Sequence, residues 1–193
     1  MYEQINSYLT KQILLSDEDL AVFNQSLELL KAPKKTLLLK EGDICRFEGF
    51  INKGCVKSYL IDKNGFEVIL TFGIENWWVS DITAFQDQVP SRMYIETIEE
   101  TELLVMTHAR KEELLKRIPS LERVFRLMVQ RHLAAYQERL FGNVALTAEE
   151  RYDKFMEKHP GMSQRIPQHL IASYLGMSPE FLSRIRKRKV SKG

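Results

Sequence analysis

Hydrophobic spacing changes three times along this chain, and each change predicts a different kind of element. Near the start, Ser16-Asp17-Glu18-Asp19 reads as a helix cap, and Leu20, Phe23, Leu27 and Leu30 recur at helical spacing up to Pro33. From about residue 35 to 107 the spacing shortens to β-type runs: Thr36-Leu37-Leu38-Leu39, Gly49-Phe50-Ile51, Val56 to Ile61, Val68 to Phe72 and Tyr94 to Ile98. Asp62-Lys63-Asn64-Gly65 supplies a hairpin connection between two of them. Short, regularly spaced strands of this kind predict a jelly-roll barrel.

After Thr107 the pattern is helical again. A short helix over Arg110 to Arg117 stops near Pro119, and a long one runs from Ser120 to about Asn143. That long helix carries two apolar stripes. Leu121, Val124, Phe125 and Met128 form one, and Val129, Leu133, Tyr136 and Leu140 form the other. One stripe can rest on the barrel while the other meets a second copy of the chain. His132 and Arg139 interrupt the seam, which leaves packing within one chain as the alternative. Thr147-Ala148-Glu149-Glu150 then caps a further helix through Tyr152, Phe155 and Met156.

The final change comes at Gln168. Ala172 is small enough for close helix packing, Gly176 suits a left-handed turn residue, and Leu182 and Ile185 pin a second helix to its core. Ser178 is a good N-cap and Pro179 suits the first helical position. At about 100° per residue, Phe181, Leu182 and Ile185 fall on one side, and Glu180, Ser183, Arg184 and Lys187 on the other. This is a helix-turn-helix pattern. Arginine can bond guanine bidentately, glutamate can accept from cytosine, and the basic run Arg186-Lys187-Arg188-Lys189 can meet phosphate. A solvated basic helix is the plainer alternative.

The 193 residues carry a formal charge of only +2, so affinity for nucleic acid must come from this local clustering. With 44% hydrophobic residues the chain can bury a proper core. No run is apolar enough to span a membrane and the first residues lack signal-peptide character, so a cytoplasmic protein with no membrane partner is expected. Cys45 and Cys55 then read as buried thiols. No histidine precedes His108, which argues against a cupin-like metal enzyme, and no catalytic or metal-ligating set is expected.

A barrel, a long helix and a helix-turn-helix, in that order, resemble the Crp/Fnr superfamily of transcription regulators. The resemblance rests on Glu41-Gly42-Asp43, Phe50 to Gly54, the Asn64-Gly65 turn, Phe72, the stretch Trp77 to Met106, Ile171 to Ser178, and Leu182-Ser183-Arg184-Ile185. It implies an α+β fold in three parts: a cyclic-nucleotide-binding-like jelly-roll barrel with flanking helices over 1–118, a dimerisation helix over 119–143, and a helix-turn-helix domain with little or no wing over 144–193. It implies sequence-specific binding of double-stranded DNA by a homodimer, with RNA polymerase as a further partner and no enzymatic activity. The DNA-binding residues would be Ser178, Glu180, Ser183, Arg184, Lys187 and Arg188, with Lys189 adding phosphate contact, and the dimer-helix residues Leu121, Val124, Phe125, Met128 and Ala135.

The implied effector pocket falls on Ser80, Asp81, Ser91 and Arg92. Cyclic-nucleotide-binding relatives place an Arg-Ser pair on the phosphate, whereas this chain has Ser91-Arg92. Successive strand residues face opposite ways, so the reversal aims Arg92 away from the pocket. No cofactor is therefore expected. The barrel senses an unidentified small-molecule effector or none, and a genuine cyclic-nucleotide-binding signalling protein is the alternative reading.

Overall fold

In the computed structural model, which describes residues 1–190, two short helices, α1 (Glu3–Thr10) and α2 (Asp17–Gln25), precede eight strands. The strands are β1 (Glu28–Ala32), β2 (Leu37–Leu39), β3 (Glu48–Lys53), β4 (Val56–Ile61), β5 (Glu67–Gly73), β6 (Trp78–Val79), β7 (Tyr94–Thr97) and β8 (Thr101–Met106), with α3 (Ile82–Asp87) between β6 and β7. Six helices follow: α4 (His108–Arg117), α5 (Leu121–Ala145), α6 (Ala148–Lys158), α7 (Met162–Arg165), α8 (Gln168–Tyr174) and α9 (Pro179–Val190). The expected C-terminal region 144–193 thus has its last three residues outside the described part.

All the strand pairings are antiparallel and form two sheets, ordered β1-β8-β3-β6 and β2-β7-β4-β5, which enclose the jelly-roll interior. Strands β3 and β8 are buried on both faces because alternate residues serve two cores. Ile51 and Leu103 point into the barrel with Leu39, Val56 and Ile95. Phe50, Leu104 and Met106 point outward, into a second core made with Ile5, Leu9 and Phe23 of α1 and α2. Between these strands and the helices lies a buried ion pair in which Lys111 Nζ donates to Glu48 Oε2 at 2.7 Å. The Lys111 ammonium also sits 4.2 Å from the centroid of the Phe125 ring.

The helix expected to continue to Pro33 ends earlier. The Ser16–Asp19 capping box forms as read, but α2 stops at Gln25 and Ser26 caps it, its hydroxyl donating to Phe23 O at 2.6 Å. Leu30 lies on β1, paired with Leu103 of β8. A strand edge contributed from distant sequence here outweighs a local helical spacing. Strands β1, β6 and β8 lie outside the β-type runs of the sequence pattern, and α7 is an additional turn of helix.

Helix α5 separates its two stripes cleanly, and this corrects the dimer-helix residues. Leu121, Val124, Phe125 and Met128 are buried in the chain's own second core, so they have no surface to offer a partner. Ala135 is half-buried and lines a cavity against the barrel. The exposed stripe is Val129, Leu133, Tyr136 and Leu140, each between 41% and 60% accessible. His132 and Arg139 do not interrupt it. Both turn inward, His132 onto Trp77 with ring centroids 6.3 Å apart and Arg139 onto the carbonyls of β5.

Gly54, between β3 and β4, has φ +102°, and a Cβ placed there would lie 2.5 Å from Thr101 Oγ1 and 2.6 Å from Glu100 O. Backbone cannot yield as a side chain can. Gly54→Ala is expected to lower unfolding stability by about 3 kcal/mol through combined strain and overlap, measured by urea denaturation; a loss within experimental error would mean that the β3–β4 connection relaxes freely.

Candidate nucleic-acid interface and barrel cavity

Helices α8 and α9 meet across the turn that the sequence pattern describes. Gly176 takes φ +67°, Met177 N donates to Ala172 O at 3.0 Å, and Ala172 is fully buried at the crossing. Ser178 begins α9: its hydroxyl accepts from Phe181 N at 3.2 Å, and its carbonyl accepts from Leu182 N at 3.0 Å. Leu182 and Ile185 are buried and Phe181 is half-buried. Glu180, Ser183, Arg184, Lys187 and Arg188 are all exposed, as is Ser178. The structure therefore brings the six candidate DNA-contacting residues to one end and one face of α9.

Electrostatics sharpen that face. The Glu180 carboxyl is held below its ordinary range by its own backbone N–H and by the Ser178 hydroxyl, so it is ionised and acts only as an acceptor. The Arg184 guanidinium lies 5.3 Å from the Phe181 ring centroid, which limits where it can reach. Lys189 departs from the phosphate-contacting expectation. It is half-buried and pairs with Asp153 at 2.6 Å and Glu149 at 3.7 Å, tying α9 to α6.

Three clasps dock this helical unit on the barrel, and the sequence pattern signals none of them. Arg139 of α5 donates to Ile69 O at 2.9 Å, to Leu70 O, and to Tyr174 O at 2.8 Å, while its guanidinium lies 4.3 Å from the Tyr174 ring centroid. Ser173 of α8 donates to Glu67 O at 2.8 Å and accepts from Ile69 N at 3.1 Å, occupying groups that the edge strand β5 would otherwise leave open. Arg165 of α7 forms a two-pronged bond with Glu75, at 2.8 and 2.9 Å, and also reaches Glu99 at 2.6 Å. Beneath them Ile69, Phe72 and Ile98 of the barrel share one apolar core with Phe155, Leu170 and Ile171. Cys55 lies in the same core, its thiol pushed up to about 12 by burial and then by the Glu99 charge, and is unreactive.

The four proposed effector-pocket residues do not converge. Asp81 caps α3, accepting from Ala84 N at 3.1 Å, and accepts a second bond from the Ser91 hydroxyl at 2.8 Å. Ser91 is buried and also bonds the backbone of Met93, whereas Arg92 is exposed and among the described residues makes no hydrogen bond or ion pair. Ser80 donates to Phe47 O at 3.1 Å. Ser80 and Asp81 line a cavity of about 220 Å³ between the barrel and α5; Ser91 and Arg92 do not. Its walls are aromatic, including Phe72, Trp77, Trp78 and Tyr136. His132 also lines it, and burial lowers its basicity, so the imidazole is neutral at pH 7. No group of three or more His, Cys, Asp or Glu that could hold a metal occurs among the described residues.

Residues 29–118 match the family model of the cyclic nucleotide-binding domain. FixK2 from Bradyrhizobium japonicum superposes with a TM-score of 0.77 at 17% identity, over 86% of each chain. The regulator CLP from Xanthomonas campestris gives 0.75 at 15%, over 92% of this chain and 93% of its own. A Crp/Fnr-family regulator from Eubacterium rectale gives 0.70 at 13%, over 93% and 85%. No curated protein matches the sequence. Residues 29–118 thus resemble a cyclic nucleotide-binding domain, and the chain over most of its length has the fold of these Crp/Fnr regulators.

Within this fold one clasp, Arg165 on Glu75, predicts that docking of the helix-turn-helix weakens in acid. Burial raises the Glu75 carboxyl, but the Arg165 hydrogen bonds and the N–H groups of Glu75 and Gly54 together outweigh it, so its folded pKa lies below the ordinary value. A carboxyl depressed in the folded state contributes stability that is present above its unfolded pKa and lost as pH falls through the folded one. Wild type is therefore expected to lose amide protection in α7 and α8 on acidification below about pH 4.3, the ordinary glutamate value, as followed by hydrogen exchange. Arg165→Gln should remove that part of the pH dependence; an unchanged acid profile in the variant would exclude Glu75–Arg165 as its source.

Proposed function

We propose that this chain is a sequence-specific DNA-binding transcription regulator that acts as a homodimer. The carrying observation is α9. Its apolar side is buried, its opposite side presents an ionised Glu180, Ser183 and Arg184 to solvent, and a tight turn at Gly176 fixes it beside α8. These are residue types that read base edges in a major groove, with Lys187 and Arg188 toward phosphate. The fold neighbours are described as regulators, which agrees with this reading and with the absence of an enzymatic role. We assign three functional regions: the barrel with its flanking helices over 1–118, a dimerisation segment over 119–143 that holds most of α5, and the DNA-binding region from 144.

Dimerisation is assigned to the exposed stripe of α5. Val129, Leu133, Tyr136 and Leu140 are spaced four, three and four residues apart, the alternation of a coiled-coil seam. Leu133→Glu is expected to shift the protein to monomer at micromolar concentration, read by sedimentation, while leaving the buried stripe and the fold intact; a dimer unchanged in strength would place the interface elsewhere.

For the barrel we propose a sensor of an unidentified small molecule, or a structural platform, rather than a cyclic-nucleotide receptor. The Asp81–Ser91 bond and the outward Arg92 support this, because a cyclic phosphate needs a guanidinium aimed at it.

The decisive test is selection of genomic DNA fragments by the purified protein without added ligand. An enriched inverted repeat, its half-sites about one helical turn apart, is the expected result. Arg184→Ala should then relax preference at a defined base pair, costing about 1–3 kcal/mol there. Lys187→Ala should weaken all sequences alike. Equal losses from both, with preference unchanged, would rule out base reading by Arg184.

A further inference from the structure

A charged surface of the barrel stands beside the recognition helix and has no part in the reading above. The β1–β2 turn, Pro33-Lys34-Lys35-Thr36, is built rigidly around Thr97. The Thr97 hydroxyl donates to Pro33 O at 2.6 Å and accepts from Thr36 N at 2.8 Å, while Lys35 N donates to Thr97 O at 2.9 Å. Lys35 is held there at φ +65°, a conformation that a non-glycine residue seldom adopts. Strain kept in place by an over-determined hydrogen-bond network points to a use for the side chain it presents.

Both lysines are exposed, and among the described residues neither makes an ion pair or a side-chain hydrogen bond. They form one wall of a cleft of about 1060 Å³. The helix-turn-helix forms another, through His169 and Ser173 of α8, Gly176 and Ser178 of the turn, and Pro179 at the start of α9. The remaining lysine of the cleft, Lys57, is buried and already pairs with Glu67 and, at 3.5 Å, with Glu96. Those are the two carboxylates that line the cleft; with Lys57 they leave one negative charge, so Lys34 and Lys35 bring the cleft to a net charge of +1.

We propose that the β1–β2 turn is a second DNA contact, in which Lys34 and Lys35 engage backbone phosphates flanking the bases met by α9. The inference rests on the DNA-binding reading of α9. Duplex DNA continues past the segment that one helix reads, and its backbone carries a charge about every 1.7 Å of axis. Two lysines on a backbone turn held in place by hydrogen bonds, sharing a cleft with the start of the recognition helix, are placed to meet it. Such contacts position the duplex and add affinity without reading sequence. They also supply positive charge that Lys189, committed to Asp153 and Glu149, does not offer.

The test uses the full chain and its selected site in two duplexes, one trimmed to the enriched motif and one extended by about a helical turn on each side. Binding is measured by anisotropy across a salt series. The variant is Lys34→Gln with Lys35→Asn, since asparagine tolerates the left-handed turn. Lys116→Gln, an exposed α4 lysine outside the cleft, is the control, and melting temperatures verify folding. The double variant should bind the extended duplex on the order of tenfold more weakly, its salt slope falling by about 0.9 for each phosphate that is no longer neutralised. The trimmed duplex should be bound equally by all three proteins, and the enriched motif should not change. Equal affinity and slope for wild type and double variant on the extended duplex, with Arg184→Ala still impairing binding, would overturn the turn contact and leave the reading of α9 standing. If wild type selects no duplex at all, the reading of α9 falls and the turn contact falls with it.

Discussion

The arrangement of this molecule hangs on one guanidinium. Arg139 leaves the long helix α5, passes between barrel and helix-turn-helix, and bonds carbonyls of β5 and the carbonyl of Tyr174. Of the three clasps it is the one that ties α5, β5 and α8 together at a single point, adding direction to apolar contact that is itself non-directional. A planar, fixed fork of donors makes the contact directional, and lysine could not reproduce it. Burial opposes the charge, and the site is stable because the cation meets several carbonyl oxygens and an aromatic face at once. Ser173 and Arg165 then fix the remaining degrees of freedom, one on the edge of β5 and the other on Glu75 and Glu99.

Arg139 also shows where sequence reasoning stops. In one dimension it interrupts an apolar stripe, so it reads as a flaw in a coiled-coil seam. In three dimensions it lies off that seam and faces β5, whose carbonyls come from residues about seventy positions earlier. The helix-turn-helix was legible because its constraints are local: Ala172, Gly176, Ser178 and Leu182 lie within eleven residues and each has a steric or hydrogen-bonding reason for its place. The barrel strands carrying short apolar runs were legible too. Strand β1 was not, since its pairing with β8 spans some seventy residues and nothing in Leu27 and Leu30 distinguishes a strand from the end of a helix. The dimer-helix residues failed for a related reason, because two apolar stripes on one helix look alike until a core claims one of them.

The barrel cavity follows a similar logic. A family pattern placed an acid and a phosphate-gripping pair at residues 80–81 and 91–92. The acid is present, yet its oxygens are taken by the α3 backbone and by Ser91, and the adjacent arginine faces solvent. A buried carboxylate satisfied by its own neighbours needs no ligand to complete it. What remains is a small aromatic enclosure whose lining residues Trp78 and Arg139 each keep a buried N–H, Nε1 and Nε, without a hydrogen-bond partner.

That enclosure and the clasp are not independent. Arg139 and Tyr174 are at once members of the clasp and part of the cavity wall, beside Trp77 and His132. A molecule entering the cavity must therefore press on the residues that hold α8 to the barrel. It can change the orientation of α9 only to the extent that it binds the docked and undocked arrangements with different affinity. One that fits the space without moving Arg139 favours docking, and one that displaces the guanidinium from Tyr174 O opposes it. Under the proposed sensing role, the sign of regulation would turn on whether the 2.8 Å contact between Arg139 and Tyr174 O is kept.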